Sequence, residues 1–155
     1  IKPVVWIGII EGTAMLLSIV SVEYIKRRMK KSGELDRVWI LTLINVFKVV
    51  SLIIFGISSK FSFAVTSYLL FYTLRTANEP IYRAWRNKNI KSEVRATVIS
   101  TYGQMDALGQ IIGGPIIGLI ALKTSISTAI IVAALILSPV IILLKYGSTL
   151  AKKKA

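Results

Sequence analysis

The chain has 155 residues, is 54% hydrophobic and has a mean hydropathy of +0.69, more apolar than a water-soluble domain of this size needs for one core. A net charge of +13 would fit a nucleic-acid partner, but the basic residues fall in the gaps between apolar runs, so no nucleic acid is expected and lipid is the expected solvent. The absence of both Cys and His excludes disulfides, thiol nucleophiles, Cys/His metal sites and Ser-His-Asp or Cys-His catalysis; no enzyme, cofactor or metal is expected.

The opening run IKPVVWIGIIEGTAMLLSIV lacks an initiator Met, a basic start and a small-residue cleavage site. It reads as a chain that begins mid-protein. An apolar stretch of roughly 20 residues crosses the hydrocarbon core as a helix, and only helices satisfy their own backbone there within one segment. Five such spans are predicted, at 4–23, 38–57, 61–82, 96–122 and 126–146, giving an all-α polytopic transmembrane bundle over 1–146 and a basic tail over 147–155.

The first span carries Glu11 on one face with Gly8, Met15 and Ser18. A carboxylate at this depth costs at least about 2.5 kcal/mol on insertion scales, so it pairs with another helix, meets water or handles protons. The loop 24–37 that follows holds Lys26, Arg27, Arg28, Lys30, Lys31 and Arg37. In the second span Lys48 shares a face with Asn45; snorkelling from mid-span is difficult, and a partner such as Glu11 or Asp106 is the expected remedy.

The third span presents Tyr68, Tyr72, Arg75 and Glu79 at three- and four-residue spacing, hence in a narrow arc. Two readings stand. The stripe lines a wet cavity that contacts a solute, or Arg75 and Glu79 satisfy each other one turn apart while the tyrosines pack between helices. The loop 83–95 adds Arg83, Arg86, Lys88, Lys91 and Arg95.

The fourth span, RATVISTYGQMDALGQIIGGPIIGLIALK, repeats small residues as Gly109 with Gly113 and Gly114 with Gly118, a spacing that lets two helices approach closely in lipid. Pro115 withholds a backbone donor inside that patch, so a bend is expected there. Asp106 lies on the same face as Gly103, Gln110 and Gly113 or Gly114 and poses the same problem as Glu11. No Gly-Lys-Ser/Thr follows, so a phosphate loop is excluded.

Lys145, Lys152, Lys153 and Lys154 complete the basic side, against Lys2, Lys60 and Lys123 on the other. The positive-inside rule then puts the long basic loops and the C-terminus in the cytoplasm of a plasma or inner membrane; the same loops can also hold anionic lipid headgroups. Trp6, Trp39 and Trp85 lie at predicted interfaces, as belt aromatics do.

The basic turn between the first two spans, the segment PIYRAWRNKNIKSEVRATVIS from Pro80 onward and GQIIGGPIIG from Gly109 to Gly118 together resemble the C-terminal half of a major facilitator superfamily transporter, helices eight to twelve. The likeness covers nearly the whole chain. Pro80 before the basic loop and the pair Arg95-Ala96 opening the next helix are similar to the family's connection between helices ten and eleven, and the Gly-Pro run looks like an echo of its antiporter motif. The resemblance implies a cavity lined by the third span, flanked by the first and fourth, with the second and fifth farther out and an N-terminal half missing from this chain. Lys48 on an outer helix departs from that pattern.

What the resemblance implies is a secondary active transporter that moves a small solute or drug by alternating access, with Tyr68, Tyr72, Arg75 and Glu79 on the substrate and Glu11 and Asp106 on protons or ions. An ion gradient is the expected energy source, since nothing resembles a nucleotide-binding loop. The alternative is a non-transporting membrane scaffold that packs partners through its GxxxG seams.

Overall fold

The computed structural model describes residues 3–30, 34–88 and 90–154, with no account of the side chains of 3, 28–30, 34–37, 85, 86, 88 and 147–154. The topology markers Lys2 and Lys31 and the side chains of Arg28, Lys30, Arg37, Trp85, Arg86, Lys88 and the tail lysines therefore lie outside the described residues. Helices follow one another as α1 (Pro3–Lys30), α2 (Glu34–Ile57), α3 (Phe61–Lys88), a 3-10 turn (Ser92–Val94), α4 (Arg95–Lys123), α5 (Ile126–Leu137) and α6 (Pro139–Lys154), and no strand occurs among the described residues.

Four stretches are long and apolar enough to cross a membrane: Val4–Arg27, Val38–Ile57, Ser92–Lys123 and Ile126–Tyr146. α3 has the length, at 28 residues. Its apolarity is diluted by the polar stripe and by the basic turn at its end. The helices also run past the predicted spans. The 24–37 and 83–95 connections are mostly helix ends, steadied by Glu23–Arg27 and Glu79–Arg83 pairs at 2.8 Å, each one turn apart.

The fifth span is not one straight helix. Pro139 has no N–H to give the Leu135 carbonyl, and the Ser138 hydroxyl and N–H donate to that oxygen instead, at 2.7 and 3.2 Å. The chain breaks there into α5 and α6. Pro115 and Pro80, by contrast, lie within helices that continue unbroken around them. Ser125 caps α5 by accepting from the Thr128 N–H at 3.1 Å.

α2 is the hub. It packs on α3, α5 and α6, while α1 packs on α3 and α4 packs on α5. The helices thus form a row, α1–α3–α2–α5/α6, with α4 standing against the far member. Leu41, Ile44, Ile81 and Leu144 make the apolar centre, with Ile25, Leu74 and Tyr82 against it. Small residues close the other contacts: Ala14, Ser18, Ser67 and Ala77 are buried, and the Ser18, Ser51 and Ser67 hydroxyls each donate to the carbonyl four residues back at 2.6 Å.

Among the described glycines the closest approach falls at Gly56, where a Cβ would meet Ile131 Cγ1 at 2.9 Å, Ile130 Cγ2 at 3.3 Å and the Ser127 carbonyl at 3.3 Å. The expected seam is different. At Gly109, Gly113, Gly114 and Gly118 a Cβ would meet nothing within 4 Å, and α4 has no buried residue. No described part of this chain packs against that glycine face.

Candidate functional site

The row leaves a cleft of about 1060 Å³ between α3 and α4, with Val22 of α1 also on its lining. α3 contributes Arg75, Thr76, Glu79, Pro80, Tyr82, Arg83 and Asn87, and α4 contributes Ile99, Tyr102, Gly103, Asp106 and Gln110. Charges predicted separately on two spans thus share one wall-to-wall space. α2 supplies no residue to it.

Charge is distributed unevenly in the cleft. Glu79 accepts from Arg83 Nε at 2.8 Å, so the Arg75–Glu79 pairing that spacing allowed is not made. Arg75 forms no ion pair among the described residues, and Asp106 accepts only from its own helix, from Gln110 Nε2 at 3.0 Å. The Asn87 side-chain oxygen, also on the cleft wall, is buried without a hydrogen-bond partner. Such atoms are costly where water is excluded.

Lys48 does not meet Glu11 or Asp106, the partners expected for it. It is buried, and its ammonium donates to Asn45 Oδ1 at 3.2 Å. Asn45 in turn donates to the Leu41 carbonyl at 2.8 Å and to Asn78 Oδ1 at 3.4 Å. The one-turn spacing of Asn45 and Lys48 makes the local bond possible, and the acids lie on helices that α2 does not pack against. Arg75 and Glu79 are within electrostatic reach of Lys48.

The upper part of the stripe serves a different space. Tyr68 donates its hydroxyl hydrogen to Glu11 Oε1 at 2.5 Å, bonding α3 to α1. Both line a second pocket of about 250 Å³ with Ile7, Ile10, Phe55, Phe61, Ala64 and Val65. Tyr72 stacks obliquely on Tyr68, with ring centroids 6.1 Å apart, and Phe55 meets the other side of Tyr68 at 6.0 Å. Trp6 and Phe61 make an edge-to-face contact at 5.8 Å near the start of both helices.

Four predicted residues separate accordingly into two pairs: Arg75 and Glu79 with Asp106 in the cleft, Tyr68 and Tyr72 with Glu11 beside the smaller pocket. Sequence reasoning missed Arg83, Asn87 and Tyr102 as cleft residues. The first two lay in a stretch read as loop, and only its helical continuation turns them onto the face of Glu79. Arg95 of the Arg-Ala pair donates to the Ile90 carbonyl at 3.3 Å, holding the turn that reverses the chain from α3 into α4.

No family model, curated protein or solved structure is significantly similar to this chain.

Proposed function

We propose that the chain is part of a secondary active membrane transporter, built like the C-terminal half of a major facilitator superfamily protein, that moves a small solute by alternating access. The cleft carries this reading. α3, set in a row with helices apolar enough to cross lipid, and α4, one of those helices, bring Arg75, Glu79, Arg83 and Asp106 to a single shared space, which is where intramembrane charge belongs when it lines a solute path. The bare α4 supports a second helical half packed on this one. The Tyr68–Glu11 bond is placed to couple α1 to α3 when Glu11 takes or loses a proton.

The test is a vesicle assay on the full-length protein with an imposed pH gradient and a panel of cationic, anionic, zwitterionic and neutral small solutes. Gradient-dependent accumulation of one class above empty vesicles is expected, reduced in Asp106→Asn, Glu11→Gln or Arg75→Ala. If no class moves, transport is wrong; if transport is equal in all three variants, the residue assignment is wrong. The open glycine face of α4 favours one rival, a scaffold that binds partner helices there. That reading predicts silent vesicles together with crosslinks from cysteines placed at Gly109 or Gly113.

A further inference from the structure

Half of the charge in the cleft is already paired within the protein. Glu79 has Arg83 at 2.8 Å. What remains is one cation on α3, Arg75, and one anion on α4, Asp106, and neither has a partner of opposite charge among the described residues. They line the same space from helices that do not pack on each other. Both are exposed to that space, so each is open to a group of opposite charge.

Lys48 removes one remedy. It is buried behind the α3 wall, within electrostatic reach of Arg75, and bonded to a neutral amide. Lys48 thus brings Arg75 no counter-charge. On the opposite wall Gln110 only orients the Asp106 carboxylate, leaving its second oxygen to accept from an incoming donor.

We infer that the cleft takes a zwitterionic solute, an amino acid or short peptide by chemistry, its carboxylate on Arg75 and its ammonium on Asp106. Each residue supplies what the other cannot. The planar guanidinium grips a carboxylate through two parallel hydrogen bonds, and the Asp106 carboxylate receives the N–H donors of the ammonium. A simple cation leaves Arg75 without a partner and a simple anion leaves Asp106 without one; only a molecule carrying both charges satisfies both walls. The inference rests on the transport reading, of which it names the substrate class.

The experiment uses the full-length protein in vesicles with alanine, dialanine and trialanine, zwitterions whose charges lie progressively farther apart, each beside its N-acetyl derivative (anion) and its methyl ester (cation). At least one zwitterion should be accumulated, or compete, about tenfold better than both of its blocked forms, the ratio expected for one lost charge-assisted hydrogen bond. Arg75→Gln should erase the preference over the methyl ester and Asp106→Asn the preference over the N-acetyl form, with size-exclusion profiles showing both variants folded. A methyl ester or N-acetyl form handled as well as its zwitterion overturns the inference, as does a variant pair in which both preferences persist. Gradient-driven movement of cationic or neutral solutes with the whole alanine series excluded overturns the zwitterion alone. Silence toward every solute overturns transport itself.

Discussion

Substituting Gly56 by Ala tests whether the α2–α5 contact is a true close packing. The new methyl would sit 2.9 Å from Ile131 Cγ1, which can rotate away, and 3.3 Å from the Ser127 carbonyl, which is backbone and cannot. Overpacking of this kind costs about 1–3 kcal/mol. Replacing a helical Gly by Ala also returns up to about 1 kcal/mol of helix propensity, so Gly56→Ala alone gives a blurred number. Gly113→Ala is the comparison: it brings a similar gain with no atom of the described chain within 4 Å. The difference between the two, read from SDS unfolding midpoints of the full-length protein in mixed micelles, should place Gly56→Ala about 1–3 kcal/mol below Gly113→Ala. Equal stabilities, or the reverse order, would refute the contact geometry. Gly56→Leu should deepen the loss.

Three further outcomes follow from the same geometry. Tyr68→Phe and Glu11→Gln should be non-additive in the same unfolding assay, with a coupling of about 1 kcal/mol, as bonded interhelical pairs in membranes give; additive effects would mean the two side chains do not meet. Lys48→Met should be nearly neutral, because an apolar side chain of similar length removes a buried charge, whereas Asn45→Ala should cost about 1–3 kcal/mol in wild type and clearly less in the Lys48→Met background. These 155 residues hold no cysteine, so in a protein whose cysteines outside them are replaced, Ser92→Cys should resist an impermeant outside label and Ser59→Cys should take it, and the opposite pattern would invert the topology.

The helices were legible because length and apolarity alone decide whether a segment suits lipid; the structure puts helix over the five predicted segments, interrupted in the last at Ser138, and four of the five are apolar enough to cross a membrane. Their ends were not. Composition marks where lipid stops, but a helix with Glu23–Arg27 or Glu79–Arg83 on its surface has no reason to stop there. The split at Ser138–Pro139 depended on a proline whose effect at that point was open to reading. The Tyr68–Glu79 stripe was visible as an arc, yet eleven residues of helix rise about 16 Å. One face can therefore serve two pockets at different depths. That Arg75 and Asp106 share a cleft was beyond periodicity, since it depends on how helices from distant parts of the chain are ordered in space. Gly56 escaped because a lone glycine near a helix end carries no repeat to announce it, while the repeated glycines of α4 pointed to a contact that no described part of the chain makes.

The helix that decides what the cleft contains is one that never touches it. α3 carries both polar and apolar surface, and turning it by one residue, about 100°, would carry Arg75 and Glu79 out of the cleft. α2 prevents that in two ways. Leu41 and Ile44 hold Ile81 in the apolar centre, which fixes one flank of α3, and Asn45 bonds Asn78 across the same interface at 3.4 Å. The amide contact adds little energy at that length, but an interhelical polar pair in apolar surroundings penalises every rotation that leaves it unmade. Lys48 strengthens the penalty, because its ammonium relies on the same Asn45 and would lose its acceptor if Asn45 turned to satisfy another arrangement. A lysine buried on the central helix, where the family resemblance expected an outer one, then has a physical purpose: it ties the register of α3 to a buried amine that needs its acceptor, without occupying the space a solute needs.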